Sequence, residues 1–117
     1  MRNNDYKIEY YKNSQNNQEP VKKFIVSLSR KIRVKIFAYI KFLEKEGRLE
    51  YPYARHIKDK IWELRIDFAK NRHRIFYFVF TGKKIILLHA FLKKTRKTPI
   101  QEIEKAINNY KDFINNN

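Results

Sequence analysis

The chain contains no cysteine, which excludes a disulfide framework and thiolate chemistry. It has only two glycines, Gly47 and Gly82, so no glycine-rich phosphate loop can be built. Its longest apolar runs, at 75–80 and 85–88, fall far short of the ~20 residues a helix needs to cross a bilayer. The stretch MRNNDYKIEYY at the start lacks the apolar core of a signal peptide. A soluble, cytoplasmic protein with no membrane partner is therefore expected. Acid is also scarce: 12 Asp and Glu face 27 Lys and Arg, a net charge of +15. That balance favours polyanionic partners, nucleic acid first among them.

What is present suffices for one domain over residues 1–117. Apolar residues make up 43% of the chain, so it should fold. The cations are concentrated between residues 54 and 98, where 13 of them meet only three carboxylates. The densest charge thus falls on the part of the chain that reads as β-sheet.

Residues 5–11 alternate Tyr6, Ile8 and Tyr10 with Lys7 and Glu9, which predicts a half-buried strand. Pro20 suits the first turn of a helix carrying Val21, Phe24, Ile25 and Leu28. After a break at 27–31, Ile32, Ile36, Tyr39, Ile40 and Leu43 mark a longer helix capped by Gly47. Residues 48–55, with Pro52, read as a loop. Residues 61–68 place Trp62, Leu64, Ile66 and Phe68 on one strand face, and Glu63, Arg65 and Asp67 on the other. A turn at 69–71 leads to a strand, 72–80, that is apolar on both faces and so central. Thr81-Gly82-Lys83 turns into a last strand from Ile85. Thr98, Pro99 and Gln101 form a helix start with a capping box, and Ile100, Ile103, Ile107, Tyr110 and Ile114 give that helix its stripe. The predicted class is α+β, in the order β-α-α-β-β-β-α.

The segments HIKDKIWELRI (56–66), RIFYF (74–78) and LLHAFLKKTRKTP (87–99), followed by Glu102 and Ala106, resemble the RelE/ParE superfamily of toxins from type II toxin–antitoxin systems. Within it the chain is most similar to the HigB, or phage-derived Gp49-like, branch, over roughly residues 5–112. The resemblance implies a small curved antiparallel sheet backed by a helical hairpin. It implies a ribosome-dependent, metal-independent mRNA endoribonuclease that inhibits translation and needs no cofactor. Its partners would be mRNA, the ribosomal decoding site and a HigA-like helix-turn-helix antitoxin, the last in a hetero-oligomer. ParE members share the fold but poison DNA gyrase, so a gyrase inhibitor without nuclease activity is the alternative. A passive RNA-binding protein is a third reading.

Metal-free RNA cleavage needs a group to take the 2′-hydroxyl proton, cations to stabilise the phosphate and a proton for the leaving 5′-oxygen. Arg65 lies mid-strand in the ELR position of the resemblance, with an ion pair to Glu63 or Asp67 as its structural alternative. Arg74 matches the arginine that opens RIFY; inside a sheet it needs a partner, either a phosphate or Glu63. Lys93 and Lys94 end the last strand on opposite faces, where the resemblance implies a catalytic or phosphate-contacting cation. Lys93 is taken as catalytic, and Lys94, Arg96 and Lys97 with Lys58 and Arg72 as RNA-binding. His56, before Lys58, is placed to reach RNA and is taken as catalytic with Arg65, Arg74 and Lys93, while His89 in its apolar strand reads as a core histidine. The spacing singles out no one histidine as the base. Phe76, Phe78, Phe80 and Phe91 offer either a stacking surface or core. No set of residues has metal-ligand spacing; Asp59, Glu63 and Asp67 recur every four residues, but in a strand.

Overall fold

The computed structural model describes residues 5–117; residues 1–4 of the expected domain lie outside the described residues. Strand β1 (Lys7–Tyr10) leads to helices α1 (Pro20–Val26) and α2 (Arg30–Glu46). Strands β2 (Ala54–Lys58), β3 (Ile61–Phe68), β4 (Asn71–Phe80) and β5 (Lys84–Lys93) follow, and helix α3 (Ile100–Asn115) closes the chain. The α+β class and the element order are those expected from the sequence, with one short strand added.

The sheet order is β1-β5-β4-β3-β2. β2 to β5 pair antiparallel, and β1 lies parallel to β5, so the sheet is mixed. β4 is central, as its two apolar faces require. β2 is the added strand, on residues that overlap the expected loop. With only Ala54 and Ile57 apolar it has little alternation of its own, and pairing with β3 makes it an edge strand.

Each face of the sheet carries its own layer. Ile32, Ile36, Ile40 and Leu43 of α2, with Val21 and Ile25 of α1, pack on Leu64, Ile66, Ile75, Tyr77, Ile85 and Leu87. Burying each such side chain contributes roughly 1.5–3 kcal/mol. On the other face Ala106 and Phe113 of α3, with Ile103, Ile107 and Tyr110, pack on Phe76, Phe78, Ile86 and Leu88. The α3 stripe thus differs from the expected one: Ile100 and Ile114, in its end turns, stay exposed, and Ala106 and Phe113 take the buried places.

The helix ends follow local chemistry. Gly47 caps α2 in the left-handed region, φ 80°, and its N–H donates to Leu43 O at 2.7 Å. A Cβ there would stand 2.3 Å from the Tyr6 ring, so glycine is required twice over. The expected capping box of α3 does not form. Pro99 is the N-cap residue, and the Thr98 hydroxyl donates to Glu63 Oε2 at 3.2 Å instead of capping the helix. A buried carboxylate gains more from that donor than an exposed helix end does. Among the described residues, no helix is long and apolar enough to cross a membrane.

Candidate functional site

Three rows of side chains cross the α3-facing side of the sheet at one end. Strand pairing aligns Arg55, Glu63, Phe76 and His89 in the first, Arg65, Arg74 and Phe91 in the second, and Asp67, Arg72 and Lys93 in the third. Neighbours within a row stand on strands about 4.8 Å apart. Arg55, Arg65, Arg72, Arg74 and Lys93 therefore share one patch with two carboxylates, Glu63 and Asp67.

A β-bulge decides which cations arrive there. Phe76 pairs with His89 and Tyr77 with Leu87, which leaves Leu88 as the extra residue in β5. Leu87 faces the hairpin core, whereas Leu88 and Phe91 face α3. Strict alternation from Leu87 would send Phe91 and Lys93 to the hairpin side. The bulge reverses the parity, so Lys93 enters the patch and exposed Lys94 does not.

Glu63 is the anchor, with a fully buried side chain (0% exposed). Its Oε1 lies 3.9 Å from Arg55 Nε and 3.9 Å from Arg65 Nε, within ion-pair reach but too far for a hydrogen bond. Glu63 Oε1, Arg65 Nε and Arg74 Nε are buried without a hydrogen-bond partner. Arg65 is 20% exposed and its guanidinium sits over the Tyr51 ring at 5.4 Å.

Arg74 does not meet solvent. It is 1% exposed, and its Nη1 donates to Asp67 Oδ1 at 2.7 Å and to His73 O at 3.0 Å. Its partner is thus Asp67, neither Glu63 nor an open phosphate site. Burial works to raise the Asp67 pKa, but the hydrogen bond and charge of Arg74, with Arg65 and Arg72, hold it below the ordinary carboxylate value. Burial pushes the Lys93 ammonium below the ordinary lysine value; Glu63 opposes that shift, and Arg74, Arg55 and Arg65 reinforce it.

The histidines go elsewhere. His56 pairs across the sheet with Trp62, on the hairpin side, so it does not join the patch as expected. Its Nε2 donates to Asp59 O at 2.6 Å, and its ring stands edge-on to Trp62. His73 faces Phe24 on that same side. His89 is the hydrogen-bonded core histidine the sequence suggests: it is buried, stacked near Phe76 and Phe91, with Nε2 2.6 Å from Glu102 Oε1. Burial lowers the pKa of both His73 and His89, for His89 against the pull of Glu102.

Lys94, Arg96 and Lys97 are exposed on the segment from β5 to α3, tied to the patch through Thr98 and Glu63. Lys58 is exposed at the end of β2, beyond an irregularity in its pairing. Phe76, Phe78 and Phe91 are buried, so they form core rather than an open stacking surface. Arg55 is the residue that sequence reasoning missed. Its signal is the alternation Ala54, Arg55, His56, which a loop over 48–55 hides.

Chemically, the patch is a rigid group of cations with a surplus over its two carboxylates. It suits a phosphodiester that approaches past Arg55 and Arg65. In comparison with known proteins, residues 23–111 match the model of the phage-derived Gp49-like protein family (DUF891). No curated protein matches the chain.

Proposed function

We propose, from the premise that the chain belongs to the phage-derived Gp49-like family (DUF891) of RelE/ParE-like toxins, that it is the toxin of a type II toxin–antitoxin system and cleaves mRNA on the ribosome without a metal. The observation that carries this reading is the surplus of cations around buried Glu63. In the reaction the 2′-oxygen bonds to phosphorus and the bond from phosphorus to the 5′-oxygen breaks. The products are a 2′,3′-cyclic phosphate and a 5′-hydroxyl; one proton leaves the 2′-hydroxyl and one reaches the 5′-oxygen.

Arg65 and Arg55, 20% and 45% exposed, hold the phosphate and the charge that builds on it. Lys93, which the bulge turns into the patch and whose pKa burial lowers, is the group we assign to the 2′-hydroxyl proton. Arg74 is a positioning residue that acts through Asp67. Lys58, Lys94, Arg96 and Lys97 steer the RNA electrostatically. His56, on the opposite side of the sheet, has no part in this reading. The antitoxin would be HigA-like, with a helix-turn-helix domain.

Primer extension on a reporter mRNA, with the protein induced alone and with or without a translation block, tests this. The expected result is cuts inside the reading frame that vanish when translation stops, and no cuts with Arg65→Ala. Growth arrest without cuts would move the target to DNA gyrase.

A further inference from the structure

A cationic patch holds a backbone but does not by itself distinguish RNA bases from any other polyanion. The sheet's own aromatics offer no help, because Phe76, Phe78 and Phe91 are buried. Phe37, Phe42, Tyr51 and Tyr53 are exposed, and of these Tyr51 meets a guanidinium of the patch, that of Arg65 at 5.4 Å.

We infer that Tyr51 is a stacking platform for the nucleobase next to the phosphate held by Arg65; this rests on the RNA-cleaving reading above. Tyr51 is 70% exposed although one side of its ring is taken by Arg65. The remaining ring surface is open, and every base has a π-face that fits it. The backbone that carries the ring is held in place. Tyr53 N and Ala54 N both donate to Glu50 O, at 2.9 and 3.3 Å, closing a turn around Tyr51. Arg65 N donates to Tyr53 O at 2.8 Å, which ties that turn to β3 beside the cation. The same guanidinium thus touches both the platform and the place where a phosphate would dock. Base and phosphate of one nucleotide are joined at a comparable separation. The ligand class is a single-stranded RNA segment with a base unstacked from its neighbours.

The test compares two ligands of equal length and charge at low salt: a single-stranded RNA with every ribose 2′-O-methylated, so that it is not cut, and an oligonucleotide made of abasic residues. Wild type should bind the RNA about tenfold more tightly than the abasic chain. Tyr51→Ala should lose most of that difference by weakening RNA binding alone, and Tyr51→Phe should retain it. A 5-iodouridine in the RNA should photocrosslink to Tyr51. Equal loss for both ligands would mean that Tyr51 merely orders Arg65, and would overturn the inference. No loss for either, or no preference of wild type for bases, would overturn it as well. Failure of the RNA-cleaving reading would show separately, as absence of cuts by wild type in primer extension.

Discussion

Glu63→Gln keeps the shape of the anchor and removes its charge. Each guanidinium at 3.9 Å attracts the carboxylate by about 4 kcal/mol gross at an effective dielectric of about 20. Two effects cut that down. Arg55 is 45% exposed, so solvent screens its share, and bringing the carboxylate out of water opposes the rest. The amide can keep its oxygen toward the guanidinium groups and turn its NH2 to the Thr98 hydroxyl oxygen, so what is lost is the charge attraction itself. Arg65, Arg74 and Lys93 would then face each other with only Asp67 to balance them. The net expectation is a loss of about 2 kcal/mol, which in a domain of this size lowers Tm by roughly 8 °C in a thermal melt. Added salt should recover little of it, since the central carboxylate is buried. An unchanged or higher Tm would refute the view of Glu63 as an anchor whose attraction exceeds its desolvation cost.

The β3–β4 turn rests on Ala69 and Lys70, both at positive φ (50° and 67°), so Ala69→Asn with Lys70→Gly should stabilise by about 1 kcal/mol, read as a higher denaturant midpoint at unchanged slope. His73 and His89 have folded pKa values below the ordinary 6.5, so the unfolded chain binds more protons as the pH falls. Stability should be full above pH 6.5 and decline below it, and His73→Phe should flatten that decline in melts across the range. Lys93→Met should raise Tm near neutral pH, because it removes an ammonium whose charged form is disfavoured in the fold up to pH 10.5, and should abolish cuts in primer extension.

The fold was legible wherever local signals agreed. Pro20, Gly47, the alternation of 61–68 and the doubly apolar β4 each point to the element observed. What was not legible depended on partners. β2 has too little pattern to declare itself and exists because β3 offers it an edge. Thr98 carries the signature of a cap, yet a carboxylate 35 residues away takes its hydroxyl. The patch was half visible for the same reason. Arg65 shares a strand face with Glu63 and Asp67, and period-two counting finds it. Lys93 reaches that face through an extra residue in β5, which counting along the strand cannot detect. The sequence puts His56 in a loop or strand edge within reach of RNA, whereas its parity in β2 sends it to the hairpin side.

Of the four buried side-chain atoms without a hydrogen-bond partner among the described residues, three lie in the patch and one, His73 Nδ1, on the hairpin side. A sheet face that served stability alone would do better with apolar residues, since buried ion pairs seldom repay their desolvation. The α3-facing side follows that rule for most of its length, with Phe78, Ile86, Leu88 and Phe113 in contact. It departs from it at one end, where Glu63 Oε1, Arg65 Nε and Arg74 Nε lack hydrogen-bond partners and the Lys93 charge is disfavoured. Native folds leave few such atoms unpaired, and groups of them mark places where something other than stability sets the residues. The surplus here has one sign. Two carboxylates stand among five cations, so the patch keeps a net positive charge. A bound phosphodiester would offset it, carrying negative charge and acceptor oxygens to the side of the sheet where the fold has placed donors in excess.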